Sequence, residues 1–266
     1  MADWPGLDVA YREFIKGSGI RPGMWRPHAA WEQVAWVKPP WSEEGHVWLD
    51  FPEVIIGGDG SFLYAGHGPV GHPAVTHGAL PKVPWREVAG GIAFERTLPS
   101  GIAFGGSVTG RDECRIDLRL HIRNGSGETL RGVKAQTCAY LRMIDEFAQR
   151  TNSNKYVHVA GGGWMPFPEA LKIPEPRGKI RLGWRGGPPL ADLPWVITLS
   201  SKAEQLVAMT WHADTFSLIG NPSHPCMHAD PAFPDLAPGA RHAIQGSLCF
   251  FEGSIADFDT YLQQSG

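Results

Sequence analysis

The chain has 266 residues, with 24 Lys+Arg against 27 Asp+Glu and a formal net charge of -3. Its 42% hydrophobic and 19% charged residues are the composition of a folded globular protein, and without a Lys/Arg run it carries no electrostatic footprint for nucleic acid or an anionic membrane surface. No stretch approaches the roughly 18 continuous apolar residues of a membrane span; residues 1–5 show no basic n-region or apolar h-region, so a cytoplasmic location without a signal peptide is expected.

The 33 Gly and 23 Pro favour many turns and short strands over helical bundles. Residues 7–16 read as a short helix closed by Gly17-Ser18-Gly19, and residues 25–48 form an irregular Trp- and Pro-rich stretch. Residues 91–98 and 101–109 flank Pro99-Ser100-Gly101, a hairpin signal. The clearest strand is 114–122, where Cys114, Ile116, Leu118, Leu120 and Ile122 alternate with Arg115, Asp117, Arg119 and His121. Asn124-Gly125 turns the chain into a further strand over 130–141, and a helical patch follows at 141–150. Strands are expected at 179–184, 195–200, 206–211 and 242–251, and Ser254, three residues before Asp257, caps a closing helix. The fold expected is all-β: a large antiparallel two-sheet β-sandwich, supersandwich-like, with short N- and C-terminal helices and residues 1–266 as one domain.

Cys114, Cys138, Cys226 and Cys249 are widely spaced with no C-x-x-C pair. They read as reduced thiols packed mostly as small hydrophobes, with two disulfides as the weaker alternative.

The most informative segment for chemistry is 221–231, where His224, Cys226, His228 and Asp230 share one face if the chain is extended. Four such residues span roughly 20 Å at about 3.3 Å per residue, so only two or three of them can meet at one ion. His-Ala-Asp occurs here at 228–230 and again at 212–214, each a carboxylate able to orient an imidazole for proton transfer. His228 and Asp230, then His212 and Asp214, are the catalytic candidates.

Trp48 and Asp50 share a face of another extended run, with Pro52 placed to redirect Glu53. An indole beside acids suits a sugar, whose C–H face stacks on the ring while carboxylates take its hydroxyls. His67, in a Gly/Pro loop with His72 and His77, joins these as a substrate contact, as do His158, Trp164 beside Gly161-Gly162-Gly163, and Trp211. No G-x-S-x-G elbow and no phosphate loop is present.

The run from Arg115 through Asn124 to Leu141, with Pro238-Gly239 before the strand at 242–251, resembles the galactose-mutarotase-like β-sandwich group, which holds sugar epimerases and domains of carbohydrate-active enzymes. The resemblance implies the fold and a sugar-directed activity; no catalytic residue is matched through it. Three functional readings follow. The first is a carbohydrate-active enzyme using His/Asp acid–base chemistry, with hydrolysis, elimination and epimerisation all open. The second is an enzyme centred on a divalent metal ion, with His228 plus Cys226 or Asp230 as ligands. The third is a sugar-binding protein without catalysis. The expected partner is a small sugar or oligosaccharide, not nucleic acid or membrane, and self-association into a homo-oligomer is left open.

Overall fold

The computed structural model describes residues 19–23, 33–43, 45–66, 80–81, 83–112, 114–174, 178–183 and 187–265. The expected helix at 7–16 and the loop with His67, His72 and His77 lie outside them. In chain order the strands are β1 (Ile20–Pro22), β2 (Val34–Val37), β3 (Val47–Ile56), β4 (Phe62–Ala65), β5 (Arg86–Val88), β6 (Gly91–Thr97), β7 (Ala103–Gly110), β8 (Arg115–Arg123) and β9 (Lys134–Tyr140). They continue as β10 (Lys155–Val159), β11 (Gly163–Pro166), β12 (Ile180–Leu182), β13 (Pro189–Leu199), β14 (Gln205–Thr210), β15 (Thr215–Gly220), β16 (Cys226–Pro231) and β17 (Arg241–Glu252). Two short helices, α1 (Phe167–Ala170) and α2 (Ile255–Ser265), and two 3-10 turns, Asp145–Phe147 and His212–Asp214, complete the described elements. The 141–150 patch forms only a single 3-10 turn at Asp145–Phe147, a correction to the helix expected there.

Pairing arranges the strands in two layers. One runs β5-β6-β7-β8-β17-β14-β13-β10-β11. The other runs β1-β2-β3-β9-β16-β15-β12, with β4 on the outer part of β3. β12 joins them through β13. The all-β sandwich is therefore present, with one correction: β12 and β15 pair in parallel, while the other pairs are antiparallel.

The core fills the space between the layers. From β3, Phe51 stacks on Trp211, which follows β14, with ring centroids 5.8 Å apart at 16°. Tyr64 of β4 meets Phe104 of β7 at 4.8 Å, and the Thr198 hydroxyl on β13 donates to the Met227 sulfur on β16 at 3.2 Å. Because side chains alternate, the inward residues of β3, β9 and β16 are Leu49, Ala139, Met227 and Ala229, all wholly buried. Their alternates, Trp48, Asp50, Cys138, Tyr140, Cys226 and His228, stand on the face turned away from the core. That face carries the chemistry.

At the C-terminus, the Ser254 N–H and hydroxyl donate to Asp257 Oδ2 at 2.8 and 2.6 Å, while the Asp257 N–H donates back to Ser254 Oγ at 3.2 Å. This reciprocal cap starts α2, which buries Phe258 against Trp195 and Phe251.

Candidate functional site

Register places two rows of side chains across three central strands. Trp48, Tyr140 and Cys226 form one row, and Asp50, Cys138 and His228 the next. Cys226 and His228 share a face of β16 as the period of two requires, and Cys138 enters from β9 directly opposite His228. The Cys226 sulfur lies 3.5 Å from His228 Nε2. The ligand atoms of Cys138, Cys226 and His228 all fall within 4.8 Å of one another, and the three residues are only 4 to 5% exposed.

The other imidazole nitrogen has its own neighbours. Glu53 Oε2 lies 3.7 Å from His228 Nδ1, and the Gln136 amide lies 3.3 Å from it. Glu53 arrives there because the pairing of β3 with β9 shifts between Asp50 and Val54, so the strand bulges and re-aims the side chain. Asp230 continues the face of β16 but turns to β15: Ser217 Oγ donates to its Oδ2 at 2.9 Å, and the Thr137 N–H to its Oδ1 at 3.2 Å.

The electrostatics follow from burial and these bonds. The hydrogen bond from Cys138 is the chief cause that brings Cys226 down to about 5; His228 adds to it, against burial. Cys138, as donor and fully buried, is pushed well above the usual thiol range. Burial opposes charge on His228, but the bond to Cys226 and the negative charges of Cys226, Glu53 and Asp230 outweigh it and hold the imidazole at about 9. Burial lifts Asp230 to about 7, against the pull of His228, Ser217 and Thr137. The group favours a thiolate–imidazolium pair inside the protein.

Trp48 flanks this centre half-buried. It donates from Nε1 to His46 Nε2 at 2.8 Å, and its ring lies 6.2 Å from Trp36 and 5.8 Å from Tyr140. Asp50 is wholly buried beside Cys138.

The remaining sequence candidates fall elsewhere. His212 and Asp214 lie in a 3-10 turn, His212–Asp214, so they do not share a strand face as the extended reading required. His212 instead places Nε2 3.2 Å from Ser247 Oγ, and burial pulls its pKa down. Trp211 is also corrected: it is wholly buried, stacked on Phe51 and bonded from Nε1 to Thr137 Oγ1 at 3.0 Å, so its ring has no face for a sugar. His158 is held by Asp192 through Nδ1 at 2.6 Å. Trp164, on the adjoining strand, donates to Asp259 of α2 at 2.9 Å and packs with the Trp195–Phe258 cluster, apart from the Cys138–Tyr140–Cys226 cluster. Cys138 and Gln136 are the site residues that sequence reasoning missed.

No family model matches the chain, and no curated protein does. Among solved structures it is similar to a galactose mutarotase related enzyme from Lactobacillus acidophilus, at 11% identity over 84% of this chain and 96% of that one, with a TM-score of 0.45. An aldose epimerase homologue from C. elegans is similar at 11% identity, 83% and 92% coverage and a TM-score of 0.44. A protein from Synechocystis matches at 8% identity and a TM-score of 0.37, over 64% of this chain and 66% of its own length. The resemblance expected from the sequence is the one these matches return. Among the described residues no helix is long and apolar enough to cross a membrane.

Proposed function

We propose that this protein is an enzyme that moves a proton on a sugar or small oligosaccharide, with Glu53 as base and His228 as acid. The observation that carries the reading is the placement of the Glu53 carboxylate 3.7 Å from His228 Nδ1, on the sheet face away from the core. A carboxylate beside an imidazole can take a proton from a substrate hydroxyl or C–H and return one to an oxygen nearby. This pairing favours epimerisation or elimination over hydrolysis, which commonly uses two carboxylates across the scissile bond. Trp48, half-buried on the same strand as Glu53, supplies a ring at the edge of the centre, whereas Asp50 is wholly buried and stays behind it.

The test is a panel of aldoses, uronates and short oligosaccharides followed by proton NMR in deuterated water. Turnover with solvent exchange is expected in wild type, and Glu53→Gln and His228→Asn should each lower it by about 100-fold or more. Wild-type turnover in both variants would overturn the assignment.

A further inference from the structure

We propose that Cys138 Sγ, Cys226 Sγ and His228 Nε2 form a three-ligand site for a thiophilic metal ion, zinc foremost. Around a tetrahedral zinc, with bonds of about 2.3 Å to sulfur and about 2.0 Å to nitrogen, neighbouring ligand atoms stand roughly 3.5–3.8 Å apart. The observed Cys226 Sγ to Nε2 distance of 3.5 Å has that spacing, and all three atoms lie within 4.8 Å of one another. The ligands are carried by two paired central strands, so the backbone presents them together: Cys226 and His228 by alternation on β16, Cys138 by register from β9.

The surroundings fit a bound imidazole. With Nε2 on the ion, Nδ1–H faces the Glu53 carboxylate, and the Gln136 amide, turned so that its oxygen faces the ring, accepts as well. A ligating histidine is ordinarily oriented by such a partner on its other nitrogen. Two thiolates with one imidazole select zinc or cuprous copper over magnesium or calcium, which prefer oxygen. Three protein ligands leave a fourth position for water or a substrate oxygen, the pattern of catalytic rather than structural zinc.

Binding of the ion does not depend on the sugar reading; only its task does. If both hold, the ion takes over the acid's part from His228 by polarising a sugar oxygen, while His228 keeps Glu53 in place.

The experiment is zinc binding by the full chain, purified without chelator, then stripped and reloaded. Metal content is read by mass spectrometry, affinity by competition with a chromogenic chelator, and ligand type by the thiolate-to-metal charge-transfer band of the cobalt(II) form. About one zinc per chain is expected, with affinity at least about 100-fold weaker in Cys138→Ser and in Cys226→Ser. Far-ultraviolet circular dichroism of each variant separates loss of a ligand from loss of the fold; if either serine variant unfolds, the cobalt band of wild type decides alone. Failure of wild type to take up zinc, or a cobalt spectrum without thiolate bands, overturns the site. Zinc bound without any sugar turnover sinks the proposed reaction and leaves the metal site standing. Turnover that survives complete removal of zinc overturns the ion's part in the reaction and leaves its binding to be judged by uptake and the cobalt band.

Discussion

Ser217 and Asp230 face each other across β15 and β16, and the serine hydroxyl donates to the carboxylate at 2.9 Å deep inside the protein. Both residues are wholly buried, and the only other bond to this carboxylate among the described residues comes from the Thr137 N–H at 3.2 Å. Removing one of two donors from a buried carboxyl leaves an acceptor undersatisfied. Ser217→Ala should therefore destabilise the fold by about 1.5–3 kcal/mol. Urea unfolding at neutral pH measures this, and a change under about 0.5 kcal/mol would mean that Asp230 is served by other contacts.

Trp211 tests the line between core and site. It is sealed beneath Phe51 and bonded to Thr137, so it belongs to the packing between the layers. Trp211→Phe loses ring volume and leaves the Thr137 hydroxyl without that donor, at a cost of about 2–3 kcal/mol. The unfolding midpoint should drop while the KM for any sugar substrate stays put. A raised KM at unchanged stability would restore Trp211 to the substrate surface.

The local periodicities were readable from sequence because they depend only on neighbours along the chain. Of the alternation predicted over 114–122, Ile116, Leu118, Leu120 and Ile122 are buried in β8, whereas Cys114 lies before the strand and is exposed. The strand's polar side hid one surprise: His121 is buried too, with Glu95 from β6 at 2.6 Å from its Nε2. The same limit applies at the site. Cys226 and His228 are visible as a pair at period two, and Pro52 signals that Glu53 leaves the regular face. Cys138 gives no sign of joining them, since its place opposite His228 is set by the pairing of β9 with a strand far along the chain. The second His-Ala-Asp misled for a related reason: the same tripeptide is extended in β16 and coiled into a 3-10 turn after Trp211. Three residues alone do not choose between those conformations.

Gly106 lies where β7 packs on Phe51 of the facing layer. A Cβ at this position of β7 would sit 2.5 Å from Phe51 Cε1 and 2.7 Å from the Arg119 carbonyl oxygen. The carbonyl belongs to the paired strand β8 and cannot swing aside, and Phe51 is wholly buried. Gly106→Ala should cost about 1–3 kcal/mol through overpacking. Thermal unfolding checks it, and an unchanged midpoint would show that the layers can part at no cost.

Lys155 gives the pH dependence its clearest source. Its ammonium is inside the protein, donating to the carbonyl oxygens of Thr151 and Asn221, with no carboxylate among the described residues within ion-pair distance. Burial lowers its pKa from 10.5 to about 8, a shift only partly countered by the negative charge of Cys226. Below pH 8 both folded and unfolded chains hold the proton, so the full penalty for burying the charge is present. Between about 8 and 10.5 the unfolded chain binds more protons than the folded one, and stability rises with pH. The whole effect is about 3 kcal/mol at about 1.4 kcal/mol per unit. In Lys155→Met that contribution vanishes. The variant should gain about 3 kcal/mol at pH 7.5, less about 1 kcal/mol for each of the two carbonyl bonds given up, and the difference from wild type should shrink through zero and reverse sign as pH approaches 10.5. Urea titrations at pH 7.5, 9 and 10.5 on both proteins measure the difference, in which the shared titrations of other groups cancel. A gap that stays constant across the window would mean that Lys155 keeps an ordinary pKa in the fold.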